Sequence, residues 1–289
     1  MLSRRRIDIT ITLGEGRFGE QEGDTVDLTG FRVHAHINAV GGEAQGQCQC
    51  IIYGLPLSTI NRLTTIGPNQ NQIMGKNTLT LKAGDDGETL KTVFVGQIFT
   101  AYGEFNQAPD VGLSIVAYSA AAAAARPADP ASFKGAADVA EIMAGFAQDA
   151  GYSFKDGGVK VTLSNPYFYG TKLEQIRKCA RDANIEYSID KNVLSIWPVG
   201  GHAEGEPITL RPSNGLVGYP QLSSNGISIT SIFNPAAELG GRFIIEGSEL
   251  PMANGNWGIF SVVHALESET PNGQWFTYIE GSGRVESTD

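Results

Sequence analysis

The residues whose types and spacing could do chemistry are His34 with His36, and Cys48 with Cys50, each pair separated by one residue. On a β-strand such neighbours point to one face. A His-x-His strand beside a Cys-x-Cys strand would offer two nitrogens and two sulfurs, a donor set that suits tetrahedral zinc. The plainer reading is that each pair is what one face of an alternating strand carries, and no metal is assigned. Gly14-Glu15-Gly16-Arg17-Phe18-Gly19 has the spacing of a dinucleotide-binding loop. Such a loop must open a helix whose N-terminus meets the pyrophosphate. Here the acidic, glycine-broken Glu20-Gln21-Glu22-Gly23-Asp24 follows, so the segment reads as a turn. Asp85-Asp86-Gly87-Glu88 lacks EF-hand spacing and reads as an acidic hairpin tip. There is no G-x-S-x-G nucleophile elbow. Carboxylate pairs of the glycosidase kind stay open in any chain with 31 acidic residues. The expectation is no catalytic residue, no metal and no cofactor.

The elements that would position these residues are mostly strands. Ile7-Asp8-Ile9-Thr10-Ile11 alternates with period two, and 31–40 does so again with Phe31, Val33, Ala35, Ile37 and Ala39 on one face. His34 and His36 therefore point outward or into an interface. Further strands are expected at 47–53, 77–83, 90–102 and 112–118, with Gly84-Asp85-Asp86-Gly87 as a hairpin turn. One short helix, 56–63, opens on Pro56 and carries Leu57, Ile60 and Leu63 at helical spacing. This makes a strongly curved sheet or small barrel.

Ala120 to Ala125, followed by Arg126-Pro127-Ala128-Asp129-Pro130, breaks the composition and marks a linker over 120–130. Residues 131–199 read as an α+β domain built twice on one plan. Val139, Ile142, Met143, Phe146 and Ala150 line a helix that stops at Gly151, and a hairpin follows, 152–154 with 159–163. Thr171-x-x-Glu174 is a capping box opening a second helix with Leu173, Ile176, Cys179, Ala180 and Ala183 inward, followed by a hairpin around Asp190-Lys191-Asn192. From 200 to 289 the pattern returns to strands, at 227–233, 241–247, 257–266 and 274–281, with turns at Asn254-Gly255-Asn256 and Pro271-Asn272-Gly273. The expected fold is thus mainly β with an inserted α+β domain: domain 1–119, linker 120–130, insert 131–199 and domain 200–289.

Charge narrows the partners. The net charge is −10, and residues 200–289 hold three basic against ten acidic residues, a net of −7. Binding nucleic acid through its phosphates needs clustered Lys and Arg. The one basic run, Arg4-Arg5-Arg6, reads as a solvated chain start. Three cysteines make no disulfide framework, which fits folding in a reducing cytosol. The basic start leads into alternating residues instead of an apolar block, so no signal peptide is expected. No apolar run long enough to span a membrane is present either.

The order β-domain, short helix, hairpin, inserted α/β domain, second β-domain resembles the baseplate hub proteins of contractile-tailed phages, tube-to-spike adaptors that are similar to the first part of type VI secretion spike proteins. The likeness is carried by Ile52-Tyr53-Gly54-Leu55-Pro56 leading into a helix that ends near Ile66-Gly67. It continues through Thr78-Leu79-Thr80-Leu81-Lys82-Ala83-Gly84, and through Thr92-Val93-Phe94-Val95-Gly96-Gln97-Ile98 with Ala101-Tyr102 after it. Later come Ile229-Thr230-Ser231-Ile232-Phe233-Asn234-Pro235, the strand at 241–247, the run from Gly258 to Leu266, and Gly273-Gln274-Trp275-Phe276-Thr277. Their order along the chain carries the likeness, not any one motif.

The resemblance implies two tail-tube-like β-barrel domains per chain and a homotrimer, so that six barrels in a ring match a hexameric tail tube while threefold symmetry meets a trimeric central spike. It implies a virion protein of the tail baseplate, made in the host cytoplasm. Its partners would be tail tube protein, spike, tape-measure protein and baseplate wedge proteins, with DNA passing through the lumen without specific binding. Leu57, Ile60 and Leu63 become candidate contacts between neighbouring barrels, against the plainer expectation that their helix packs on its own barrel. Two other function classes fit the composition. One is a carbohydrate-binding or adhesin-like module using Trp257 and Trp275 as exposed sugar platforms. The other is a cell-wall hydrolase.

Overall fold

A computed structural model describes residues 4–14, 23–40, 44–64, 77–106, 108–223 and 226–284. Ile66-Gly67 and residues 15–19 of the glycine-rich loop lie outside the described residues. Two units pack separately: Met1–Asn38 with Gly46–Ala122 and His264–Trp275, and Ala39–Gln45 with Ala123–Val263 and Phe276–Asp289.

In the first unit the alternation of Ile7, Ile9 and Ile11 becomes β1 (Arg5–Thr12), with those three side chains buried. β2 (Thr25–Leu28), β3 (Arg32–Val40), β4 (Gln47–Tyr53), helix α1 (Leu57–Leu63), β5 (Thr78–Asp85), β6 (Lys91–Glu104), β7 (Gly112–Tyr118) and short α2 (Ala121–Ala125) follow. Hydrogen bonds order the strands β3-β4-β7-β6-β5-β1-β2, every neighbour antiparallel. Directly opposed residues share a face. Ile9 faces Leu81, Leu81 faces Phe94, and Cys50 faces Ile115, all buried. Each such side chain stabilises the fold by roughly 1.5–3 kcal/mol when fully buried. Gly96 sits where a Cβ would meet the Phe94 ring at 2.6 Å, a close approach that only glycine permits.

The three arginines of the chain start make specific contacts, with Arg4 still well exposed. Arg4 pairs with Glu269 at 2.7 Å. Arg5 donates to the Gly273 carbonyl at 2.7 Å and lies over the Trp275 ring. Arg6 grips the Asp8 carboxylate through two nitrogens at 2.8 Å.

The second unit opens with β8 (Ala131–Ser132), β9 (Ala136–Asp138), α3 (Val139–Ala150), β10 (Ser153–Asp156), β11 (Thr162–Ser164), β12 (Tyr167–Phe168), α4 (Lys172–Ala183), β13 (Ile185–Asp190) and β14 (Val193–Pro198). α3 ends on Gly151 in the left-handed region, φ 78°. α4 starts with the full capping box: the Thr171 amide donates to Glu174 at 2.7 Å, and the Glu174 amide donates to the Thr171 hydroxyl at 3.2 Å. The β13–β14 hairpin forms as expected. The first expected hairpin does not. β10 pairs parallel with β14, whereas β11 returns to β9 and β12 to β8. After β10 the chain is turned by Asp156, whose Oδ1 accepts from the amides of Gly158 and Val159, and Gly157 donates to the Ile196 carbonyl on β14. These contacts hold the segment to β14 and stop it folding back on β10.

The remaining strands are β15 (Ile208–Leu210), β16 (Leu216–Ser223), β17 (Gly226–Ile232), β18 (Arg242–Ile245), β19 (Gly255–Ser268) and β20 (Trp275–Arg284). β16, β17, β20 and β19 are neighbours in that order, β18 pairs β19, and β15 pairs β18 in parallel. Phe243, Ile279, Ile227, Ile229 and Trp257 fill the core between them. The protein is therefore mainly β, with an α+β segment between its β-rich stretches. In neither unit is a closed ring of strands seen among the described residues.

The capping box gives a direct test. Thr171→Ala should lower unfolding free energy by about 1 kcal/mol, and Thr171→Ser should restore most of it. Urea unfolding with an unchanged slope checks this.

Candidate functional site: surfaces for assembly

The ladder between β3 and β4 settles the zinc question. Ala35 opposes Cys50 and Ile37 opposes Cys48, whereas His34 opposes Ile51 and His36 opposes Gln49. The thiols and imidazoles therefore lie on opposite faces of the sheet and cannot share an ion. Cys48 and Cys50 are both buried. A hydrogen bond with Cys50, together with burial, pushes the Cys48 thiol well up. Burial pushes the third thiol, Cys179, up to about 12, far from a nucleophile's range. His34 lies 3.1 Å from the Thr270 hydroxyl and edge-on to Tyr53. Among the described residues no group of three or more His, Cys, Asp or Glu could hold a metal. At the acidic hairpin tip Asp86 pairs with Arg6 at 3.5 Å and Glu88 closes the turn onto the Asp85 carbonyl.

The proposed sugar platforms are core residues. Trp257 is 7% exposed and donates its indole N–H to the Ala253 carbonyl, and Trp275 is 4% exposed. A stacking platform needs an open ring face, so these two tryptophans cannot serve as one.

The helix expected at an interface is split between inside and outside. Ile60 and Leu63 are buried, whereas Leu57 is 57% exposed. Gly103 on β6 makes room for Ile60: a Cβ there would lie 2.9 Å from Ile60 and 2.6 Å from Phe105. The end of α1 is tied by the Thr64 amide and hydroxyl, both donating to the Ile60 carbonyl. Of the three candidates only Leu57 presents its side chain to the surface.

Other exposed apolar residues form a pattern that the sequence reading missed. Val217 on β16 opposes Thr230, and Thr230 opposes Tyr278 on β20; one step along, Ile232 opposes Phe276. Ile229 and Ile279 turn the other way, into the core. Val217, Ile232 and Tyr278 are exposed. The signal was present in the sequence as apolar residues in both phases of a strand, the mark of a sheet covered on both faces. The free strand edges are less inviting. β16 is interrupted by a bulge between Val217 and Gln221, with Gly218 at φ 68° and Pro220 inside it. β2 is only four residues long and carries Asp27. Both devices discourage pairing with another chain.

The profile of a family described as baseplate hub gp41 matches residues 6–279. The fold is similar to a tail protein from Neisseria meningitidis MC58, with a TM-score of 0.62 at 10% identity over 96% of each chain. It is also similar to a 43 kDa tail protein of prophage MuSo2 from Shewanella oneidensis, with a TM-score of 0.58 at 11% identity over 96% of each chain. An E. coli component of the type VI secretion system, itself described as similar to the T4 tail proteins gp27 and gp5, gives a TM-score of 0.61 at 10% identity over 88% of this chain and 74% of its own. No curated protein matches.

Leu57 and Ile60 should behave oppositely in the isolated chain. Ile60→Ala should cost about 2–5 kcal/mol by opening a cavity against β6. Leu57→Ala, on the surface, should stay within about 0.5 kcal/mol of the parent. Chemical denaturation of the two variants side by side gives the contrast.

Proposed function

Because the chain belongs to the baseplate hub gp41 family, we propose that it is the tail component that joins a hexameric tail tube to a trimeric central spike. The observation that carries this reading is the family match over 6–279, which takes in both β-rich stretches and the α+β segment between them. In this reading residues 1–119 and 200–289 are tube-like β-barrel domains, 120–130 a linker and 131–199 an insert of two helix–strand units facing the outside. Three chains would set six barrel domains around a channel, a heterologous ring that closes at the right rotation. Tube protein would sit above and spike below, with tape-measure and wedge proteins as further contacts. The mature site would be the virion tail, after synthesis in the host cytoplasm.

The exposed apolar positions have a use in such a ring. Leu57 in the first unit, and Val217, Ile232 and Tyr278 in the second, would be covered by neighbouring chains. The acidic excess of residues 200–289, three basic against ten acidic, would line or flank the channel, where carboxylates repel phosphate and keep DNA from adhering. The buried thiols, the separated His and Cys pairs and the buried tryptophans support a structural, non-enzymatic reading.

Light scattering on the purified chain, alone and co-expressed with a spike protein, tests the proposal. The expected mass is three times that of one chain, and Ile232→Asp with Tyr278→Asp should shift it to one chain while far-ultraviolet circular dichroism stays unchanged. A chain that remains monomeric in both settings and binds glycans or cleaves cell wall sinks the proposal.

A further inference from the structure

The dipeptide Asn-Gly occurs four times, at 214–215, 225–226, 254–255 and 272–273. Asparagine is a chemically labile residue, most of all before glycine. Glycine has no side chain to obstruct its amide nitrogen as that atom turns on the asparagine carboxamide. The attack is intramolecular, so its rate depends on whether the fold leaves both groups free to meet. A group tied by hydrogen bonds reacts only when the local structure opens. Asn225 lies outside the described residues, and the other three sites differ.

At Asn254 the carboxamide is held at both ends. Its Oδ1 accepts from the Ser248 amide at 2.9 Å, and its Nδ2 donates to the Ser248 carbonyl at 3.0 Å. At Asn272 the nucleophile is held instead. The Gly273 amide donates to the Thr270 carbonyl at 3.1 Å, and the Gly273 carbonyl accepts from Arg5 at 2.7 Å. A Cβ on Gly273 would lie 2.8 Å from the Glu267 Cβ, so this residue is also closely packed. Asn214 has neither restraint. It is exposed, in the turn 211–215 that joins β15 to β16. The Asn214 amide donates to the Arg211 carbonyl at 2.9 Å, the Arg211 amide returns the bond at 3.2 Å, and the Leu216 amide also reaches the Arg211 carbonyl. This pattern skips the Gly215 amide, which has no acceptor among the described residues, and the Asn214 carboxamide has no partner there either.

We infer that Asn214 is a site of spontaneous isoaspartate formation in the folded chain, whereas Asn254 and Asn272 are protected. The Gly215 nitrogen attacks Asn214 Cγ, and the new C–N bond closes a five-membered succinimide. The side-chain nitrogen leaves as ammonia, taking up the proton that the Gly215 amide gives up. Water then opens the ring. Attack at Cγ leaves an ordinary aspartyl link, and attack at the main-chain carbonyl leaves an isoaspartyl link that runs through the former side chain. Nothing is oxidised or reduced. Either product puts a new carboxylate in the turn of Arg211, whose guanidinium pairs with Glu246. The isoaspartyl link also adds one main-chain atom just before Gly215, whose carbonyl accepts from the Ile232 amide at 2.8 Å, and just ahead of the point where Leu216 meets Ser231.

The full chain, aged in mildly alkaline buffer with and without urea, tests this by peptide mapping with fragmentation that locates each conversion. Labelling by an isoaspartyl methyltransferase identifies the isoaspartyl product. In the folded chain Asn214 should convert severalfold faster than Asn254 and Asn272, and in urea the three rates should converge. Asn254 or Asn272 converting as fast as Asn214 in the folded chain overturns the proposal. An Asn214 that stays intact in the folded chain while it converts in urea overturns it equally.

Discussion

In an antiparallel ladder the residues directly opposite one another share a face, and much of this molecule follows from that one constraint. Once Ile9 is set against Leu81, the side to which every other residue of β1 points is decided, whereas the register shift between Leu81 and Lys82 resets the phase of β6 against β5. A slip of one residue would turn Ile7, Ile9 and Ile11 into solvent and bring Asp8 and Thr10 inside, so the register is held by the whole apolar set at once. The same rule separates the imidazoles of β3 from the thiols of β4. It also creates the outward row of Val217, Ile232 and Tyr278, since a residue one position away from a core residue has nowhere else to point.

Charged contacts play a smaller part. Arg4 with Glu269 and Arg211 with Glu246 are well exposed, and such pairs contribute about 0–1 kcal/mol each. Their value is directional: Arg5 reaches a carbonyl 268 residues further along the chain and helps to seat the β19–β20 turn on its own unit. Lys172 differs, because its stem is buried. Its ammonium serves Asp149 and Gln175 at 2.9 Å each and lies over the Phe146 ring, tying α4 to α3.

What the sequence made legible was local. Period-two runs gave β1, β3 and the long strands near the end, Thr171-x-x-Glu174 gave the start of α4, and Gly151 gave the end of α3. What it hid was partnership. Ser153–Asp156 has the composition of a hairpin arm, but its partner is β14, some forty residues on, and periodicity does not name partners. β2 and β15 are too short, and β16 too broken by Gly218 and Pro220, to register as alternation. The candidate surface was half visible for the same reason. Leu57, Ile60 and Leu63 define a helix stripe, yet nothing local says that Gly103 lies waiting beneath Ile60. Trp257 and Trp275 could be placed as platform or core only by seeing what covers their rings.

The interrupted β16 and the abbreviated β2 also bear on how such a protein is kept before use. A long, regular edge is a template onto which a second chain can add, then a third, without limit. A bulge and a proline at one of these margins, and a short strand with an aspartate at the other, leave neither edge as a long regular template for open-ended addition.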